Sequence, residues 1–191
     1  MILSSGIKIV SNQICYSCID MRASGAMTQL CEQYGVKLIC FGVLAGGFLS
    51  DKYLDMATEP TEDDVTDWSR MKYRRFFDLI GGWDKLQAVL NALRTVGEKH
   101  DATVANVAAR FIMQQPAVAA VIVGARLGES SHIAENTGMF DFRLDEYDVT
   151  LIAAAVDGLT AVPGDCGDEY RKPPFLTGAD TPFPSSFSYA A

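Results

Sequence analysis

Short apolar runs alternate along this chain with amphipathic stretches, the pattern of α/β units built on a parallel sheet. Ile7 to Ile14 reads as a strand, and Val36-Lys37-Leu38-Ile39-Cys40-Phe41 as a second. Between them Ser24 to Tyr34 reads as a helix, with Met27, Leu30, Cys31 and Tyr34 on one face and Gly35 as its stop. The second strand runs into a glycine-rich turn, Gly42 to Gly47, and Asp55 to Asp67 is an acidic surface excursion carrying Pro60. Trp83, Leu86, Leu90, Leu93 and Val96 then recur at helical spacing. Another helix spans Val104 to Gln114 and is closed by Pro116. The continuous apolar run Val118 to Val123 predicts a fully buried parallel strand. Ser130 or Ser131 can cap the next helix, and Asp145 a last one running through Val156.

Three strands and about five helices fall short of a closed (β/α)₈ barrel, which needs eight strands and typically ~250 residues. The 191 residues suit one domain by the guide of ~100–200 residues each. Residues 1–162 carry the periodic elements, and 163–191, rich in Pro, Gly and Ser, predict an irregular C-terminal tail.

Charge and cysteines narrow the classes. The net charge of −8 argues against nucleic acid or an anionic membrane surface as partner. No apolar run approaches the ~18 residues of a membrane span, and Met1 to Gly6 lacks the form of a secretion signal, so a cytoplasmic protein is expected. Cys15, Cys18, Cys31 and Cys40 fall in apolar segments and read as buried reduced thiols, whereas Cys166 is the thiol expected at the surface. Cys15 and Cys18 form a CxxC spacing, but no second pair and no nearby His completes a metal set.

Three places carry candidate chemistry. In Val118 to Asn136 a buried strand feeds a turn at Gly124 and then a helix, an arrangement that aims free backbone N–H groups at an anion. Arg126 adds a planar, permanently charged donor there. The turn Gly42-Val43-Leu44-Ala45-Gly46-Gly47 lets backbone approach a pyrophosphate, and Lys52 can reach a phosphate from beside it. Gln13, ending the first strand, offers both a donor and an acceptor. The basic run Arg70, Lys72, Arg74, Arg75, interleaved with Trp68, Tyr73 and Phe76, reads as a solvated face that compensates the acidic stretch before it. The alternative is a segment closing over a ligand from above.

Residues 6–176 resemble the C-terminal, cofactor-binding half of an aldo-keto reductase. The resemblance rests on Ser11-Asn12-Gln13, Tyr16-Ser17, Leu44-Ala45-Gly46-Gly47-Phe48-Leu49, Val121-Ile122-Val123-Gly124-Ala125-Arg126 and Glu135-Asn136. It implies a partial (β/α)₈ barrel whose three strands are the sixth to eighth, and an NADP(H) site that is only partly built and therefore weak. By the same likeness Gly124, Ala125 and Arg126 hold the ribose 2′-phosphate, with Glu135, Asn136 and His132 toward the adenine. Phe41 stacks on the nicotinamide, Gln13 meets its carboxamide, and Gly42, Val43, Leu44, Gly46 and Lys52 follow the pyrophosphate. Gly42-Val43 stands where the family often has Ser-Pro, which implies a looser turn.

The family's catalytic Asp, Tyr, Lys and His belong to the first half of its barrel, and no match to them is present. Tyr16, Asp20, Lys37 and His100 are the right types, with no sequence reason to come together. The expectation is an NADP-dependent oxidoreductase acting on carbonyl or alcohol substrates, with autonomous catalysis doubtful. A non-redox isomerase, cyclase or dehydratase and a non-catalytic interaction module are the alternatives. A fragment of a barrel also leaves an open edge on the first strand, so a homodimer or a partner completing the barrel is expected.

Overall fold

The computed structural model of the protein describes residues 2–61, 63–65, 67–125 and 132–170. Three parallel strands, β1 (Ser11–Cys15), β2 (Lys37–Phe41) and β3 (Val118–Val121), form one open sheet in that order. The helices are α1 (Ala26–Tyr34), α2 (Trp68–Ile80), α3 (Trp83–His100), α4 (Val104–Met113), α5 (Ile133–Thr137) and α6 (Glu146–Asp157). This is the α/β, partial-barrel architecture expected from the sequence.

One side of the sheet makes the core. Leu38 and Cys40 of β2 are fully buried toward the helices, with Ile14 of β1 beside them. Against this face α3 contributes Leu86, Val89, Leu90, Leu93 and Val96, and it packs on α2, α4 and α6. Burying each such side chain contributes about 1.5–3 kcal/mol. The opposite face, which a closed barrel would enclose, stands open and is mixed in character. Ser11, Gln13, Lys37, Ala119, Ala120 and Ile122 are exposed there and Ile39 half-buried.

Several sequence expectations change. The run Val118 to Val123 is not a fully buried strand, because β3 is an edge with Ala119 and Ala120 exposed. Helix α1 buries Thr28 and Cys31, while Leu30 and Tyr34 remain exposed. Helix α5 starts after His132 without a side-chain cap, and Ser130 and Ser131 lie outside the described residues. The basic run is not a solvated face but helix α2. Asp67 caps it by accepting from Arg70 N, and Tyr73, Phe76, Phe77 and Ile80 are buried. Part of the earlier reading stands, since Arg74 does pair with Glu59 of the acidic stretch at 2.9 Å. Asp145 caps α6 as expected, in a capping box with Asp148.

Two polar clusters tie distant segments together. Arg22, after β1, bonds Asp20 Oδ2 at 2.7 Å, Glu169 Oε2 at 2.9 Å and the Asp165 carbonyl at 2.7 Å. This fastens residues 165–169 over the carboxyl end of β1. At the other end, Asp148 of α6 accepts from Lys99 Nζ at 2.8 Å and lies 2.7 Å from His100 Nε2, locking α6 to α3. Burial raises the Asp148 carboxyl, but these bonds outweigh it and hold the group below its ordinary value.

Both outer edges of the sheet lack a strand partner among the described residues, not the edge of β1 alone. Ile7 and Val10 before β1 and Ile122 after β3 are exposed beside them. Open edges of this kind pair with further chain. Light scattering of the pure chain at micromolar concentration is expected to report an assembly larger than one chain. A well-folded monomer without a dye-binding apolar surface contradicts that expectation.

Candidate functional site

At the carboxyl ends of β2 and β3 a cavity of about 720 Å³ opens. Its floor is Phe41 and the turn after β2, and one wall is Ile122-Val123-Gly124-Ala125 after β3. His132, Glu135 and Asn136 at α5 complete that wall, and Ser69, Arg70 and Tyr73 of α2 face it.

Glycine is required in the turn for two separate reasons. Gly42 and Gly46 have φ of +69° and +68°, a region that strains other residues. They also lie directly under α2. A side-chain carbon on Gly42 would collide with the Tyr73 hydroxyl, and one on Gly46 would come 3.0 Å from the Tyr73 ring and 3.1 Å from the Ser69 carbonyl. The glycine at position 42 therefore does not loosen the turn, because Tyr73 occupies the space it leaves. Gly47 and Gly124 differ, since no atom of the described residues lies within 4 Å of the position a Cβ would take. At these two points a ligand can approach the backbone.

The segment after the turn is pinned from outside the cavity. Asp51 accepts from Arg94 at 2.8 Å and from the Val104 backbone N–H, at the start of α4, at 3.0 Å. Gln87 of α3 donates to the Tyr53 carbonyl at 2.8 Å and accepts from Asp55 N at 2.9 Å. Lys52 is thereby held at the cavity, its ammonium 5.2 Å from the Tyr53 ring centroid. Among the described residues no carboxylate lies within salt-bridge reach of it. The cavity's carboxylates are matched elsewhere: Asp51 by Arg94, and Glu135 by His132, whose Nδ1 lies 2.8 Å from Glu135 Oε2. The cavity thus presents cations with its acidic groups already engaged.

Of the residues singled out from sequence, Phe41, Gly42, Leu44, Gly46, Lys52, Gly124, Ala125, His132, Glu135 and Asn136 line this one cavity. Val43 does not, being 1% exposed in the core. Gln13 is exposed on β1, which contributes nothing to the cavity wall. Arg126 lies outside the described residues. Arg70 and Tyr73 lie where the alternative reading of the basic run, a segment closing over a ligand, puts them, but neither Ser69 nor the helix that carries all three was read from sequence. The signal was there, in Tyr73, Phe76, Phe77 and Ile80 at helical spacing behind Asp67 as cap.

The four residues of the right types named from sequence, Tyr16, Asp20, Lys37 and His100, do not gather in the cavity. Tyr16 is fully buried in the core, where burial and the neighbouring Cys40, Cys18 and Cys166 push its phenol up. Asp20 is paired with Arg22, Lys37 sits at the opposite end of β2, and His100 is bound to Asp148. The thiols are equally quiet. Burial pushes Cys18 and Cys40 up to about 12, and Cys15 is raised by burial, Asp20 and Glu169. They remain protonated, hence poor nucleophiles and ligands. Cys166 is half-buried rather than exposed. Among the described residues no group of three His, Cys, Asp or Glu side chains could hold a metal, and no helix is long and apolar enough to cross a membrane.

The contact between α2 and the turn can be measured. Gly42→Ala is expected to lower stability by about 1–3 kcal/mol through backbone strain and overpacking. In the background of Tyr73→Phe, which removes the colliding hydroxyl, the loss should shrink. Equal losses in the two backgrounds, measured by denaturant unfolding, would show that the two residues are not coupled.

Comparison with known proteins places the fold and the family. The chain is 30% identical over 110 residues to flagellar radial spoke protein 5 of Chlamydomonas reinhardtii, covering 57% of this chain and 21% of that protein. It is 25% identical over 140 residues to the aldo-keto reductase str7 of Strobilurus tenacellus, covering 73% and 39%. Its fold resembles that of the glycerol dehydrogenase of Gluconobacter oxydans, with a TM-score of 0.64 at 17% identity, over 92% of this chain and 49% of the enzyme. The chain therefore spans less than half the length of the curated relatives it matches. The sequence model of the Aldo/keto reductase family matches residues 1–157, and the chain belongs to that family.

Proposed function

We propose that this chain is the NADP(H)-binding half of an oxidoreductase of carbonyl or alcohol substrates. The observation that carries this reading is the cavity itself, where the turn after β2 and the turn after β3 face each other with open backbone at Gly47 and Gly124. The residues fit a dinucleotide. Phe41 offers an aromatic face, Lys52 a cation, and His132, Glu135 and Asn136 polar groups to the one cavity. Arg126 follows Ala125 directly in sequence and is the group proposed for the 2′-phosphate. When bound, such a cofactor supplies or accepts a hydride. The chain's own residues would bind and orient it, with Phe41 and Tyr73 giving the cavity its aromatic surface. Binding is proposed to be weak, because Gln13 and β1 stand apart from the cavity.

A second reading, a non-catalytic interaction module, is supported by the likeness to a flagellar radial spoke protein and by the scattered state of Tyr16, Asp20, Lys37 and His100. The two readings differ in turnover, not in binding.

Calorimetric titration is expected to show NADPH binding more tightly than NADH. A charge-assisted contact to the extra phosphate contributes roughly 1.5–3 kcal/mol, on the order of ten- to a hundredfold. Arg126→Ala should erase the difference. Equal affinity for the two, or no NADPH binding up to millimolar, counts against the proposal. Turnover of simple aldehydes by the pure chain is expected to stay near background, since positioned acid catalysis typically contributes ~10²–10⁴-fold. Robust NADPH-dependent reduction would reveal a proton donor within these residues.

A further inference from the structure

Parallel order makes the two outer edges of the sheet complementary: all three strands run the same way, so either edge can continue the other. We propose that two copies of this chain join head to tail, β3 of each pairing in parallel with β1 of the other, into a closed ring with three strands from each copy. This contact is independent of what the cavity binds.

Each edge presents backbone groups aimed at a further strand. Between β1 and β2, Lys37 N bonds Val10 O at 2.9 Å and Tyr16 N bonds Phe41 O at 3.2 Å. Successive residues of a strand turn their backbone groups to opposite sides, so those of Ser11 and Gln13 face away from β2. On β3, Ile122 N bonds Cys40 O at 2.7 Å, which turns the groups of Val121 outward in the same way. Joining like edges, β1 to β1 or β3 to β3, leaves the other two edges bare. Joining unlike edges closes all four with only two chains.

The flanks fit the same contact. Beside β1, Ile7 and Val10 are exposed, with Leu30 and Tyr34 of α1. Val10 is in step with Asn12, whose amide reaches Met27 of α1 at 3.5 Å, so it stands on the helix side of the edge. Beside β3 the exposed side chains are Ile122, Ile133 of α5 and Phe140 just after it. Helix α5 packs on α4, which packs on β3, so closing the ring sets α5 of one copy beside α1 of the other. At on the order of 100 Å² each, these seven side chains offer roughly 700 Å² per chain. That approaches the ~800 Å² per partner of a stable interface before the strands are counted.

The enclosed side is suited to a narrow ring. A ring of fewer strands than eight leaves less room inside, and the face to be enclosed carries the small Ser11, Ala119 and Ala120. Lys37 stands at the amino end of β2, where its ammonium reaches water at the mouth of the ring. At the other end, β1 of the second copy comes beside Ile122 and Val123, so both copies wall each cavity.

The test alters one flank at a time, at positions exposed enough to spare the fold. These are Val10→Glu beside β1 and Ile133→Glu on α5, where the native side chains are 71% and 74% exposed. Light scattering of the wild type at micromolar concentration is expected to give the mass of two chains. Each variant alone should be monomeric, because a head-to-tail dimer uses both flanks of every chain. An equimolar mixture should regain dimers at a higher concentration, since one unaltered contact then remains. If either variant alone stays a dimer, like edges meet and the proposal falls. It falls as well if the mixture stays monomeric or if the wild-type mass exceeds two chains. A wild-type monomer leaves the edges to a different chain and also overturns it. Amide hydrogen exchange needs no variant: the N–H groups of Gln13 and Val121 should both slow as the wild type is raised from nanomolar to micromolar. Slowing at one edge alone, or at neither, overturns the proposal.

Discussion

The structure depends on the burial of one face of β2. A parallel strand in the middle of a sheet cannot face water on its helix side, and Leu38 and Cys40 are accordingly at zero exposure beneath the helices. Once β2 is fixed, parallel pairing sets β1 and β3 on either side and brings the turns at Gly42 and Gly124 to the same end of the sheet. The cavity is a consequence of that alignment. Ligands in parallel α/β architectures meet the carboxyl ends of strands because there the turns expose free backbone N–H groups and the side walls come from different units.

Electrostatics then decides what the cavity can accept. Acidic residues outnumber basic ones in the chain, and two carboxylates, Asp51 and Glu135, stand at the cavity itself. An anion would be repelled if they were unpaired. Arg94 and the start of α4 engage Asp51, His132 bonds Glu135 and Arg70 is itself bonded to Asp67, which leaves Lys52 as the cavity cation with no carboxylate in reach among the described residues. Net charge of the whole chain therefore says little about this site, since charges beyond about a Debye length of ~10 Å are screened while neighbours are not.

The two halves of the sheet differ in how completely they are finished. On the helix side the core is closed, and Arg22 draws residues 165–169 back over the end of β1. On the other side Ser11, Gln13 and Lys37 face outward with Ala119, Ala120 and Ile122. That face is less apolar than a barrel interior made of branched aliphatic side chains. Its polarity lets the sheet stand open, whereas the unpaired edges still offer hydrogen-bonding groups to further chain.

Much of this was legible in the chain. Short apolar runs located β1, β2 and β3 to within a few residues, and Asp145 marked the start of α6 because its side chain bonds a backbone N–H three residues on. Ten of the candidate site residues line one cavity, since turns after parallel strands must share an end. What the sequence hid was α2: charged positions between its aromatics masked a helix whose buried face is Tyr73, Phe76, Phe77 and Ile80. It also hid which way Val43 and Gln13 face. Residue type and spacing determine local conformation and the chemistry on offer. Only the packing of α2 onto Gly42 and Gly46 decided that Arg70 reaches the cavity, and only the open edge decided that β3 is half exposed. Both depend on contacts between residues far apart in the chain, which no local pattern encodes.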